Sequence, residues 1–444
     1  MEIEEHELKP IPRQITCNGE KDEIYLTIEI GNGQVGSNKV LVESEVLAKG
    51  NLSESTYVAS LDKLKGKVLE VHTNILDVNA FTNMCVLTTT FFDQDHKVLF
   101  SKIDKGEVPE GGLAIFKAKY AFGLLVSLLI ILSPLSISNA QSSSESIEFN
   151  ELATPTSPGF ILLDKTPATI EKPTTPQGFG LSIAGFFQGS GGAIEFAPFW
   201  LLSHPKLTAE KMYRNRFPIL YNLSVSVATI NTDVTTFLAG GLRTRLLQIH
   251  SKNRVEKLDS VRLELETLLI DPMDNLEAIK VLRDLYVSII NEDIELPIFT
   301  IELAAAMGAS SLTNSFSDLG INRRAAWLSF NYRPGGDDFY MTVLTRYIKN
   351  ERFQEYNDNI DLFDIGARAN YDISNFCISL EYIQRLNFTE SLYADNRLAL
   401  IGSYRISDSL FLTSTFGKNF TDFNNIIALA GVNFGFSKNK LKAY

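Results

Sequence analysis

A chain of 444 residues and 49.5 kDa has room for about three domains, or for one large β unit with additions. Its 45% apolar and 21% charged content excludes wholesale disorder, and 41 basic against 53 acidic residues, a net charge of −12, argue against a nucleic-acid partner. The three cysteines, Cys17, Cys85 and Cys377, exclude a disulfide-dense scaffold and give no CxxC metal spacing; no metal and no cofactor is expected.

Residues 1–119 read as a small β-sandwich-like domain. The first 20 residues are charged and are expected to fray. Beyond them Ile24, Leu26, Ile28 and Ile30 alternate on one face, and Gly31-Asn32-Gly33 turns the chain. Further short strands follow at 39–46, 66–73, 84–92 and 113–120, and no chemistry accompanies them.

Residues 120–140 break the pattern of a soluble domain. Lys117-Ala118-Lys119 precedes an uncharged run from Tyr120 to Ile137, and small residues lead to Ala140-Gln141. A basic start, a short apolar core and a small-residue end are the parts of a secretory signal, with cleavage expected between Ala140 and Gln141. Its position inside the chain predicts either a fusion of two reading frames or a cytoplasmic domain ahead of an exported one. Residues 141–178, rich in Ser, Thr and Pro, read as an extended linker.

From 179 to 436 the chain alternates polar and apolar residues in stretches of about 10 residues, the length of tilted membrane-spanning strands. Twelve are expected: 179–189, 192–202, 220–230, 235–248, 298–309, 321–332, 338–349, 360–371, 374–386, 394–406, 408–418 and 424–436. Strand length and an even count predict a transmembrane antiparallel β-barrel in the bacterial outer membrane, with lipid on its apolar side. Between the fourth and fifth strands, residues 250–295 carry two apolar stripes at helical spacing and predict a helical-hairpin insertion. One stripe runs Val255, Leu258, Val261, Leu265, Leu268, Leu269; the other runs Leu276, Ile279, Leu282, Tyr286, Ile289. Asp271-Pro272 reads as the second helix's cap and first residue. By strand parity the hairpin is periplasmic, where it packs on itself, caps the barrel mouth, plugs the barrel, or docks a periplasmic protein. Gly431, Phe434 and Phe436 look like the C-terminal assembly signal that outer-membrane barrels present to their insertion machinery; 437–444 is a short tail.

Turning the polar face inward places Arg243, Arg245, Arg323, Arg346, Arg368, Arg385, Glu195, Glu302, Asp364 and Glu381 in the lumen, with Arg397 and Arg405 near strand ends. The basic excess predicts passage of small, anionic solutes; interlocked Arg–carboxylate pairs that close the interior are the competing expectation. No catalytic residue is expected, because His204 and His250 stand at strand ends without a nucleophile arrangement, and no phosphate loop appears.

The string from Thr154-Pro155-Thr156 through Lys172-Pro173-Thr174-Thr175-Pro176, followed by Ala193-Ile194-Glu195-Phe196-Ala197-Pro198-Phe199-Trp200-Leu201, resembles uncharacterised outer-membrane barrel proteins of the Bacteroidetes group. The resemblance covers about residues 120–444 and implies location and fold but no substrate. Three functions follow: a passive channel; a non-conducting scaffold that holds a partner by its hairpin; or a signal-anchored soluble β protein.

Overall fold

The computed structural model describes residues 1–8, 11–17, 23–123, 191–231, 236–292, 296–311, 319–334, 338–350, 360–373, 375–387, 395–407, 410–418 and 426–434. The chain is mainly β and divides into two compact units. One gathers residues 1–139, 200–215 and 252–294; the other gathers 140–199, 216–251 and 295–444.

The described residues of the first unit open with ten strands and one short helix: β1 (Ile3–Glu7), β2 (Arg13–Thr16), β3 (Glu23–Ile30), β4 (Val35–Val42), β5 (Glu45–Gly50), β6 (Thr56–Ser60), α1 (Leu61–Leu64), β7 (Val68–Leu76), β8 (Met84–Phe92), β9 (Val98–Glu107) and β10 (Leu113–Gly123). The strands form a sheet of order β1-β10-β7-β4-β5, with β2 also on β10, and a second of order β6-β3-β8-β9. Ile24, Leu26 and Ile28 of β3, Val40 of β4, Val71 of β7, Phe91 of β8 and Tyr120 of β10 share one core, so both sheets bury their apolar alternation against it.

Two expectations for this region are corrected. The N-terminal stretch does not fray as a whole, because β1 and β2 pair in parallel with β10. Its charges have partners: exposed Glu5 meets Lys117 at 2.7 Å, exposed Glu7 meets Lys119 at 3.5 Å, and half-buried Arg13 meets Asp104 at 2.6 Å. The domain also continues past residue 119. Tyr120 and Phe122 are buried, with ring centroids 4.8 and 5.5 Å from Phe91. The opening residues of the apolar run thus complete a core strand, and the basic pair before it sits in ion pairs. The rest of the run, Ala140 and Gln141, and the linker 141–178 lie outside the described residues.

The hairpin forms as two helices, α3 (Lys252–Leu268) and α4 (Leu276–Ile290). Asp271-Pro272 opens only a single 3₁₀ turn over Pro272–Asp274, and α4 starts after Asn275. The Asp271 carboxylate takes a 2.6 Å ion pair from Lys39 and makes no cap hydrogen bond. Both helical stripes enter a second core with the β domain: Leu258, Leu265, Leu269, Ile279, Tyr286 and Ile289 bury with Val35, Leu76, Val78, Leu113 and Ile115. A short helix, α2 (Ala209–Tyr213), adds Ala209 and Tyr213 to it.

The segment leading into α2 lies against the turn after β3. Asn32 Oδ1 accepts from the His204 amide at 2.6 Å, and the Gly33 amide donates to the Leu207 carbonyl at 2.8 Å. Gly31 is required there, because a Cβ would stand 2.6 Å from the His204 carbonyl oxygen and 2.8 Å from Pro205 Cα.

The second unit is one antiparallel sheet whose strands pair in chain order: β11 (Gly191–Phe196), β12 (Ser224–Asn231), β13 (Thr236–Ile249), β14 (Phe299–Ser311), β15 (Gly320–Tyr332), β16 (Phe339–Asn350), β17 (Ile360–Ile373), β18 (Phe376–Asn387), β19 (Asp395–Ser407), β20 (Leu410–Lys418) and β21 (Ile426–Phe434). These match eleven of the expected strands, and 179–189 lies outside the described residues. β11 stops at Phe196 rather than at 202, since Pro198 lacks the amide a ladder needs and opens a 3₁₀ turn over Pro198–Leu201. Among the described residues no ladder joins β11 to β21.

Candidate functional site: a buried polar face

Sheet alternation normally hides the apolar face, and here the polar face is the hidden one. Along β17, Asp364, Gly366, Arg368 and Asn370 are buried, while Ile365, Ala367 and Tyr371 are exposed. Along β18, Cys377, Ser379 and Glu381 are buried against exposed Phe376, Ile378, Leu380 and Tyr382. Thr342 of β16 is buried between exposed Met341 and Val343. Ile365 is 44% exposed and Leu380 53%, whereas Glu381 is 0%.

The register aligns these residues in rows across the sheet. One row runs Arg243, Ala304, Trp327, Arg346, Asp364, Arg385 from β13 to β18. A second runs Arg245, Glu302, Ser329, Leu344, Gly366, Ile383 and ends at Arg397. A third runs Gln248, Thr300, Asn331, Thr342, Arg368, Glu381.

Charge is grouped within the rows. Glu302 accepts from Arg243 at 2.9 Å and from Arg245 at 3.1 Å. Asp364 accepts from Arg346 at 2.6 Å and from Arg385 at 2.8 Å. Each triad holds two guanidinium groups on one carboxylate, a surplus of one positive charge. Glu381 meets Arg397 at 3.0 Å and stands in register with Arg368, whose Nη2 donates to Ser379 Oγ at 3.1 Å. Glu195 accepts from the Ser224 hydroxyl at 2.8 Å. Arg323 is half-buried on the same parity as Ala325 and Trp327, at the strand end.

The charged residues singled out from sequence thus share one face, and two groups of three meet. Arg397 joins Glu381; Arg405 lies beside a bulge at Arg405/Ser407, and its side chain is outside the description. Gly431 and Phe434 lie on β21, paired with Thr413 and Leu410; Phe436 is outside the described residues. Counting charges missed the neutral bridges. Asn331 donates to Thr300 at 3.0 Å and accepts from Thr342 at 2.9 Å, linking three strands. Arg333 stacks over the Tyr340 ring at 4.7 Å. Parity plus register, rather than residue type, would have found the threonines and the asparagine.

Among the described residues no group of three or more His, Cys, Asp or Glu is placed to hold a metal. Burial pushes the Cys85 thiol up to about 12, so it stays protonated at neutral pH. No described helix is long and apolar enough to cross a membrane, which leaves crossing by strands untouched.

No family model and no curated protein matches the chain. Among solved structures it is similar to two multiply substituted variants of the Rh. blastica porin. Each is 10% identical with a TM-score of 0.25, and the alignment covers 92% of this chain and 100% of the other. A structure titled "Asymmetric conductivity of engineered proteins" aligns at 9% identity, the same coverage and the same TM-score. At that score the superposition does not establish a shared fold.

Proposed function

We propose that the second unit spans the bacterial outer membrane as a closed β-barrel of about twelve strands, the described eleven and 179–189, and passes small solutes with a preference for anions. The observation that carries this reading is the inversion of the faces. Ionic side chains are buried on one side while Ile365, Ile378, Leu380, Leu398 and Leu400 are exposed on the other. In water that arrangement is unfavourable, because exposed apolar surface costs about 25 cal/mol per Å² and buried ions need partners. In a bilayer the outer side chains meet acyl chains and the inner ones keep their polar company.

Strands of 12 to 14 residues from β14 to β19 are long enough to cross with tilt. Gly431, Phe434 and Phe436 are the residues the insertion machinery would engage. The positive surplus of the Glu302 and Asp364 triads favours anions near them. The protein is read as carrying out transport, not catalysis.

Planar-bilayer recording of the purified full chain tests the proposal. Stepwise conductance is expected, with a reversal potential under a KCl gradient displaced toward the chloride value. Arg346→Ala and Arg385→Ala are each expected to move it toward the potassium value. Absence of steps would remove the channel and favour the second reading, a non-conducting scaffold. The interlocking of Glu302 and Asp364 with two arginines each, which can close the interior, speaks for that alternative.

A further inference from the structure

We infer that the β domain of residues 1–123 and the helical hairpin are one docked module in one compartment, the periplasm, so the chain does not cross the inner membrane between residue 123 and the barrel. This rests on reading the second unit as an outer-membrane barrel, which puts the β13–β14 connection, and the hairpin within it, at one membrane surface.

The joint is a core rather than a touch. Leu258 and Leu265 of α3, Leu269 just beyond its end, and Ile279 and Ile289 of α4 are fully buried together with Leu76 and Leu113 of the β domain. Polar groups close the rim. Asn74 Nδ2 donates to the Leu269 carbonyl at 2.6 Å, and Arg283 Nε donates to the Asp77 carbonyl at 2.8 Å. Asp77 Oδ2 accepts the Gly111 amide at 2.8 Å, where φ is +64° and a Cβ would stand 3.0 Å from the Arg283 guanidinium. The loop at 204–207 adds three hydrogen bonds to Asn32 and Gly33.

A β domain left in the cytoplasm could make none of these contacts. It would expose the Val35–Leu76–Leu113–Ile115 face, and the hairpin would expose both stripes. The residues that give the 120–140 run its signal-like opening are also engaged. Lys117 and Lys119 pair with Glu5 and Glu7, and Tyr120 and Phe122 are core. The occupant of the hairpin's apolar face is therefore this chain's own N-terminal domain.

Two measurements test this. The first labels one added cysteine at a time, at exposed Ser101 of β9 (Ser101→Cys) or exposed Ser260 of α3 (Ser260→Cys), with a membrane-impermeant maleimide in expressing cells; the three native thiols are buried. Both are expected to react once the outer membrane alone is permeabilised. Reaction of Ser260→Cys but not of Ser101→Cys until the inner membrane is lysed overturns the inference and leaves the barrel standing. Reaction of neither until full lysis sinks the barrel reading, and the inference with it. The second cuts the purified full chain at a protease site inserted between residues 141 and 178. The N-terminal fragment is expected to co-elute with the remainder in the parent and in Leu263→Asp, on the exposed side of α3, and to be lost in Leu265→Asp. Release from the parent overturns the docking whatever the variants do.

Discussion

Ile365 and Asp364 are neighbours in sequence with opposite surroundings, and each answers differently to substitution. Ile365 is exposed on the apolar side, so Ile365→Lys places an ammonium among acyl chains at a cost of about 2–4 kcal/mol near the bilayer midplane. On a water-bathed sheet the same change would be neutral or helpful. Denaturant titration in lipid vesicles reads the difference, and loss of stability is expected. Asp364→Asn removes the carboxylate that two guanidinium groups share, leaving like charges together in a buried place; a loss of about 3–5 kcal/mol is expected by the same titration.

In the first unit, burial raises the Asp77 carboxyl above its ordinary value, against the Gly111, Gln34 and Arg283 contacts that lower it. The folded state therefore holds this proton more tightly than the unfolded chain. The stability it contributes is full below the unfolded value of about 4 and is lost as pH rises through the raised folded value. Asp77→Asn carries no such titration. Its melting temperature is expected to improve relative to the parent between pH 4 and 7, and a constant difference would contradict the assignment.

At the scale of elements, α3 and α4 decide whether the β domain is held. Leu265 has no exposed surface, so Leu265→Asp buries a charge without a partner and is expected to cost about 3–5 kcal/mol of first-unit stability, while Leu263→Asp stays near neutral. Separate melting of the β domain in Leu265→Asp, by circular dichroism, would show it. The helices themselves were legible, since leucines and isoleucines at spacings of three and four mark a stripe wherever it lands. What the stripe lands on was not legible. Periodicity reports that a face is buried and says nothing about the surface that covers it, and that surface is more than 140 residues away, at Val35, Leu76 and Leu113.

The start of α4 was misplaced for a similar reason. Asp271-Pro272 has the local chemistry of a helix start, but Lys39, distant in sequence, takes the Asp271 carboxylate. Strands β1 and β2 escaped notice because charge was read as a preference for water, when their charges are answered by Lys117, Lys119 and Asp104. The sheet of the second unit was the most legible part. Strict alternation fixed parity, parity fixed which residues share a face, and the Glu302 and Asp364 triads followed once register paired the strands. Register itself, with shifts at Arg245/Leu247 and Gly308/Ala309, lay beyond the sequence.

For the whole molecule, everything proposed about transport depends on what touches the apolar side of the second unit. Fluorescence quenching reads that directly. Ile365→Trp and Leu380→Trp place indoles on that side, against a background of two native tryptophans, Trp200 and Trp327, both buried. In vesicles of brominated lipid the added emission is expected to be strongly quenched, and aqueous iodide is expected to leave it unchanged. Quenching by iodide with no response to brominated lipid would show a sheet bathed in water and would contradict the account.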